Sequence, residues 1–455
     1  MTWQEEYRRS IRLSPDWREE YQRKLISPEE AADKIKSGDT VVCTEGREPL
    51  AIGLALAARK EEIEGVKLFL GTPTFDFGWY DPGWADSFAL SIGYCFPRGV
   101  VADCLAEKRT DFVVGGLSLF DDLAQRWYAD VLLVEVSSPD QGGFCSFGAS
   151  VYGKRHWILR AKMVIAEVND RLIRTYGDNY VHISQIDYFV EHPYTGRKPG
   201  EVTLAGQPTR ECTQEERAIA QHIAPLIRDG DTIQIGQGGT SEALVRAGLL
   251  DGKQALGWHS EVTPPGIIRL VREGIMTGER KTIDTGKAVA AAIGGGSIED
   301  MNFVHMNPMF ELRDSEYTHN PSLIASLNNM VTINNCLEVD LTGQVNAESI
   351  GSRMFSGAGG LLAFSIGANL SKGGRGIIVL PATARGGSMS RIVPMLPQGS
   401  KVTVPHTITD YVVTEFGVAQ LKGKSVRQRA EEVIATAHPD FRGELRKAAQ
   451  SLYWP

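Results

Sequence analysis

Two distant stretches of the chain carry the same local instructions, and that repeat limits the folds open to it more than any other feature. SPEEAADKIKSGDTVVCTEG begins at Ser27, and TQEERAIAQHIAPLIRDGDTIQIGQGG begins at Thr213. Ser27 with Glu30, and Thr213 with Glu216, have the spacing of a capping box, in which hydroxyl and carboxylate exchange hydrogen bonds with the free amides of a helix start. Each helical pattern then stops at Gly-Asp-Thr, at 38–40 and at 230–232. The glycine suits the left-handed position that ends a helix, and a β-rich run follows. The shared unit is helix, glycine stop, strand and glycine-rich loop; a single copy would be no more than a common α/β turn.

Between the copies lies EHPYTGRKPGEVTLAGQPTREC, where Pro193, Pro199 and Pro208 break both helical and strand periodicity. This predicts a boundary there, with one domain over 1–205 and a second over 206–455. A chain of 455 residues is long enough for two cores. The apolar runs VLLVEVS (131–137), KMVIAEV (162–168) and GIIVLPA (376–382) read as strands buried on both faces, and helical patterns such as EALVRAGLL (242–250) alternate with them. The expected fold class is α/β, as two open domains with largely parallel sheets.

Composition removes several function classes. Net charge is −8 with no long basic run, which disfavours nucleic acid as a partner. No segment approaches the apolar length of a membrane span. The opening stretch MTWQEEYRRSIRLSPDWREEYQRK is rich in both charge signs and lacks an apolar signal region, so a cytoplasmic location is expected. Cys43, Cys95, Cys104, Cys145, Cys212 and Cys336 never form a C-x-x-C pair, which argues for reduced, mostly buried thiols and against a zinc site or a disulfide framework.

In open parallel sheets ligands collect beyond the carboxyl ends of the strands, so glycine-rich loops after strands are the places to search. Three segments qualify. IQIGQGGTSEAL places Gly236, Gly238 and Gly239 between a strand and a helix, where glycines fit either a tight turn or a loop whose amides approach an anion. It lacks both the dinucleotide fingerprint and the P-loop lysine. In WHSEVTPPG, Glu261 precedes two prolines that fix the backbone; a loop carboxylate is ordinarily a solvated surface group, but a rigid display suits a nucleophile or base. MFSGAGGLLAFSIGANLSKGGRGIIVLPATARGG holds glycines on both sides of short apolar runs, together with Lys372; it fits close helix–strand packing as well as a ligand loop.

Over nearly its whole length the chain resembles the class I CoA-transferases of the acetyl-CoA hydrolase/transferase group, and most of all their 4-hydroxybutyrate CoA-transferase branch. The resemblance rests on SGDTVV, DVLLVEVSSPDQGGFCSFG and KMVIAEVNDRLIRTYGDNYVHISQID in the first half. In the second half it rests on GWHSE, NNCLEVDLTGQVNAESIG, SKGGRGIIVLPATA and VTVPHTITDYVVTEFGVAQLKGKSVRQRAEEVIATAHPDFRGEL. It implies tandem α/β halves and a ping-pong transfer of CoA between a short acyl-CoA, such as acetyl-CoA, and a carboxylic acid, through a glutamyl-CoA thioester on Glu261. It further implies CoA contacts from Gly236, Gln237, Gly238, Gly239 and Thr240, and from Ser356, Gly359, Gly360 and Lys372. No metal and no permanently bound cofactor are implied, since CoA is a substrate, and a homo-oligomer is expected. An acyl-CoA hydrolase on the same scaffold differs only in what resolves the intermediate; a CoA sensor without turnover is a further alternative that retention of Glu261 opposes.

The chain also departs from the family pattern at Ser241, Val262, Pro264, Pro265, Leu361, Leu362, Ala363 and His406. The loss of polar groups after Gly360 implies either an acyl group larger or less polar than 4-hydroxybutyrate, or a repacked loop with the same substrate.

Overall fold

The computed structural model describes residues 3–44, 46–93, 99–115, 117, 120–191 and 211–454. Cys95 and most of the proline-rich stretch containing the expected boundary at 205–206 lie outside the described residues. The chain forms two compact units, Met1–Gly206 with Ala291–Glu316, and Gln207–Ala290 with Tyr317–Pro455. The segment Ala291–Glu316 thus clusters with the first unit although it lies far beyond residue 206.

The two copies of the repeat open the two units with the same hydrogen bonds. In the first, Ser27 caps helix α1 (Pro28–Asp33): its Oγ accepts from Glu30 N at 3.1 Å while Glu30 Oε2 accepts from Ser27 N at 2.8 Å. Gly38 follows at φ +82°, and Asp39 Oδ2 accepts from Lys36 N at 2.8 Å before β1 (Thr40–Cys43) begins. The chain then enters α2 (Leu50–Ala58) and β2 (Val66–Leu70). The other strands of its main sheet are β3 (Phe88–Gly93), β4 (Thr110–Val113), β5 (Val131–Val136), β6 (Met163–Val168) and β7 (Tyr188–Glu191). They make a seven-stranded, all-parallel sheet in the order β7-β6-β5-β1-β2-β3-β4. Every residue of β5 is buried, as expected for a strand covered on both faces. Val41, Leu68, Leu90, Val131 and Ile165 join one apolar core with Ile52 and Leu56 of α2.

In the second unit Thr213 caps α3 (Gln214–Ile223) with the same reciprocal pair, Gly230 stands at φ +81°, and Asp231 Oδ2 accepts from Arg228 N at 2.6 Å. Then come β8 (Thr232–Ile235), α4 (Gly239–Arg246) and β9 (Gly257–His259). The helix is shorter than its apolar pattern, because Gly248 at φ +87° ends it. After β9 follow α5 (Pro265–Arg272), β10 (Ala288–Ala290), β11 (Met330–Asn335), α6 (Leu361–Leu370) and β12 (Arg375–Val379). β13 (Tyr411–Thr414) and β14 (Gly417–Gln420) complete the strands of this sheet within the unit. Their order is β14-β13-β12-β11-β8-β9-β10, parallel except where β14 returns against β13.

Both sheets are wound outward from their first strand in two directions. The chain leaves β1 toward β2 and later returns to β5 on its other side; it leaves β8 toward β9 and returns to β11. The places where winding reverses, between β1 and β5 and between β8 and β11, are where an open sheet leaves a crevice at the carboxyl ends of its strands. Five cysteines are free thiols, with Cys43, Cys104, Cys145 and Cys336 buried and Cys212 partly so. No described helix is long and apolar enough to cross a membrane.

Candidate active site

Glu261 leaves the carboxyl end of β9, one strand from the reversal point of the second unit. The backbone is held on both sides: Ser260 N donates to Val289 O of β10 at 3.0 Å, and Ser260 Oγ donates to Ile235 O of β8 at 3.3 Å. The two prolines are not part of a free loop. Pro264 caps α5 and Pro265 is its first residue, where a fixed φ suits the helix and the missing N–H costs nothing. Rigidity is therefore real, but it comes from a strand that ends at His259 and a helix that starts at Pro265, with Glu261 on the short link between them. The carboxylate keeps 18% of its surface exposed while Trp258, His259, Ser260, Val262 and Thr263 are buried.

Against it stands a residue that sequence reading missed. His319, fully buried, places Nε2 at 3.3 Å from Glu261 Oε2, and its Nδ1 lies 2.9 Å from the hydroxyl of Thr318. Phe364 of α6 meets the His319 ring edge-on at 5.1 Å. Gly359, at φ +52°, passes so close that a side chain there would start 3.8 Å from Glu261 Oε2. A Cβ on Gly360 would lie 2.6 Å from the His319 ring, so this glycine is required by packing. Sequence held no local signal for His319, because it lies outside every glycine-rich segment and its partner is 58 positions away.

The loop 236–240 sits at the reversal point itself. A Cβ on Gly236 would fall 2.4 Å from Asn334 Oδ1, and one on Gly238 2.0 Å from Asn335 Oδ1, both at the end of β11. Ser241 Oγ donates to Gly236 O at 2.6 Å and to Asn335 Oδ1 at 2.9 Å, which closes the turn. These two glycines thus admit neighbouring asparagine side chains. Gly239 and Thr240 are half-buried in the first turn of α4, and Gln237 is exposed. Among the described residues no side chain caps α4.

Ser356 is buried, with its amide bonded to Glu348 O at 3.0 Å and its hydroxyl to Gly357 O at 2.9 Å. Lys372 is not brought to the same place. It is exposed beyond the far end of α6, where its carbonyl accepts from Asn329 N at 2.8 Å ahead of β11. That is the amino edge of the sheet, about 15 Å of helix away from Gly360. Of the departures after Gly360, Leu361 is absorbed into the core with Ile378 and Val412. Leu362 and Ala363 keep exposed surface. No three His, Cys, Asp or Glu side chains converge as metal ligands among the described residues.

A strand-end carboxylate beside an imidazole and two glycines supplies a nucleophile-class group next to neutral hydrogen-bond donors, which is chemistry that acyl transfer can use. The chain matches the model of the acetyl-CoA hydrolase/transferase N-terminal domain over residues 7–196 and that of the C-terminal domain over 296–449. The protein belongs to the acetyl-CoA hydrolase/transferase family. Glu261 and the loop 236–240 fall between the two matched segments. Similar full-length relatives include the 4-hydroxybutyrate coenzyme A transferase of Clostridium kluyveri, 39% identical over 94% of this chain and 98% of that one. The succinyl-CoA:cyclohexane-1-carboxylate CoA transferase of Geobacter metallireducens is 37% identical over 96% and 97%. Among solved structures, RipA from Yersinia pestis superposes with a TM-score of 0.87 at 32% identity, covering 96% of this chain and all of that one. The expected tandem α/β fold of this group is therefore the fold observed.

Proposed function

We propose that the protein is a carboxylate CoA-transferase that moves CoA between a short acyl-CoA and a carboxylic acid, with Glu261 as the covalent nucleophile. The observation that carries the reading is the Glu261 carboxylate, partly exposed at the strand end, with His319 at 3.3 Å and Gly359 beside it. A glutamate attacks as the carboxylate anion, which needs no general base to remove a proton. Glu261 attacks the thioester carbonyl and expels CoA thiolate, leaving a mixed anhydride; the thiolate attacks the glutamyl carbonyl and releases the first acid. The enzyme then holds a glutamyl-CoA thioester, which an incoming carboxylate resolves by the reverse sequence.

Each tetrahedral intermediate bears an oxyanion. The amides of Gly359 and Gly360 and Nε2–H of His319 are proposed as its donors on the glutamyl side, which the closeness of Gly359 and His319 to Glu261 Oε2 supports, and such a donor contributes on the order of 10²-fold or more to rate. The loop 236–240 and Ser356 remain the proposed contacts for the rest of CoA; Lys372, at the opposite sheet edge, has no part in this reading. Transfer is favoured over hydrolysis because relatives at 33–39% identity are named transferases, whereas the acetyl-CoA hydrolases of Kluyveromyces lactis and Saccharomyces cerevisiae match at 27% and 26%. The acceptor is proposed to be 4-hydroxybutyrate-like or more apolar, since Leu362 and Ala363 offer no polar group beyond Gly360. The reading also takes the protein to work as a cytoplasmic homo-oligomer, which fractionation and light scattering test.

Incubation with acyl-CoA, reduction with borohydride and peptide mapping test the nucleophile. A modified peptide containing Glu261 is expected, and turnover with that peptide untouched would refute the assignment. A panel of carboxylate acceptors, with free CoA followed in parallel, separates transfer from hydrolysis.

A further inference from the structure

His259 is fully buried in β9, two residues before Glu261, and its burial demands an explanation. A leucine or phenylalanine would fill the same space without desolvating a polar ring, which costs free energy unless the ring is hydrogen-bonded. The ring is bonded, and to one place: Nε2 lies 2.9 Å from Thr318 O. An imidazole facing a carbonyl must carry its proton on that nitrogen. Burial, with the buried ammonium of Lys281 adding to it, pushes this imidazole down to about 3, so the ring stays neutral and keeps this tautomer at working pH.

Thr318 therefore makes two contacts with two histidines. Its carbonyl accepts from His259, and its hydroxyl meets His319 Nδ1 at 2.9 Å. When that hydroxyl donates to Nδ1, the proton of His319 is on Nε2 and points to Glu261 Oε2, 3.3 Å away. Phe364 stands edge-on to both imidazoles, with centroids at 6.3 Å from His259 and 5.1 Å from His319. Tyr317, next to Thr318, also lies 6.3 Å from the His259 ring and is tied at its hydroxyl to Asp284 at 3.0 Å. The dipeptide Thr318–His319 is thus gripped from β9 by one hydrogen bond and from α6 by one ring.

We propose that His259 is a positioning residue for CoA transfer, whose hydrogen bond to Thr318 O fixes His319 against the Glu261 carboxylate. The inference rests on Glu261 being the nucleophile. It assigns His259 no contact with substrate: it acts through Thr318 and His319, and misplacing that group by about 1 Å is enough to cost up to about 10²-fold in rate.

The test is a cycle of H259F, H319A and the double variant, with H259Q added because its amide can restore a donor to Thr318 O. H259F is expected to lower kcat about 10- to 100-fold with KM for acyl-CoA within about twofold, and H259Q to recover a large part of the loss. In the H319A background, H259F is expected to cost nothing more, since residues acting through one another are non-additive. Wild-type kcat in H259F, or losses that multiply in the double variant, would overturn the proposal. If H259F fails to fold by circular dichroism, H259Q against H259N decides the question: Asn is too short for the carbonyl, and equal kcat in the two would overturn the role. Trapping on the wild type keeps the two readings apart. An unmodified Glu261 sinks the nucleophile, whereas modified Glu261 with additive variants sinks the positioning role alone.

Discussion

The two units reverse their winding at equivalent points, yet one reversal point is filled by the protein's own charges and the other is lined by glycine and amide groups. In the first unit the helix after β1 receives a buried carboxylate: Glu167 of β6 accepts from the amides of Leu50, Ala51 and Ile52 at 3.1, 2.8 and 3.0 Å. Beside it Arg47 faces Glu135 at 3.6 Å, and Glu48 accepts from Thr74 N at 2.9 Å. An anion at a helix start satisfies free amides and the helix dipole together. In the second unit the helix after β8 opens on Gly239 and Thr240 with no side-chain cap, and the neighbouring strand end carries Asn335, which is neutral. Duplicated backbone instructions therefore produced two different crevices: one satisfied internally, one leaving backbone amides beside a strand-end glutamate.

The comparison breaks most sharply at its glycines. G360A puts a methyl group 2.6 Å from His319, and we expect kcat to fall by about 10²-fold together with a stability loss of about 1–3 kcal/mol. The matching insult in the first unit, G53A, places Cβ 2.5 Å from the Phe77 ring, and should lower the thermal midpoint while leaving kcat per folded molecule unchanged. Steady-state kinetics and calorimetry on the pair decide it; equal kinetic damage in both would erase the distinction.

A smaller effect concerns pH. Burial lifts the carboxyls of Glu48 and Glu167 to about 7 against the pull of the amides they accept from. Because an unfolded glutamate titrates near about 4.3, the folded state holds protons that the unfolded state has released. Their contribution to stability is full below the unfolded value and is lost as pH rises through about 7. The thermal midpoint should fall between pH 5 and pH 7.5, by an amount on the order of a few degrees, and E167Q should flatten that slope. A steeper slope in E167Q would reverse the sign of this account. The smallest expected effect is at the caps: S27A and T213A should each cost about 1 kcal/mol, read as equal shifts in denaturant midpoint.

These caps and the Gly-Asp turns were fully legible in the sequence, because every group in them lies within a few residues of its partner. The parallel sheets followed from the same locality, through runs such as 131–137. What was illegible depends on distance along the chain. Glu261 could be singled out, but His319 reaches it from 58 positions away, and the asparagines that require Gly236 and Gly238 lie on another strand. The prolines after Glu261 read as a stiff loop, whereas Pro265 starts a helix, which its position after a short polar stretch did not reveal. Lys372 was placed by resemblance alone, and the length of α6 carries it to the other edge of the sheet.

The central claim is that Glu261 carries the acyl and CoA groups in turn, and heavy oxygen in the acceptor tests it most directly. When a carboxylate labelled in both oxygens attacks the glutamyl-CoA thioester, one labelled atom becomes the anhydride bridge and stays with Glu261 as the new acyl-CoA departs. Peptide mapping after a single turnover of the glutamyl-CoA enzyme should find one heavy oxygen in the Glu261 side chain and none when E261Q is treated alike. Full transfer of CoA with no label in the Glu261 peptide would contradict the account.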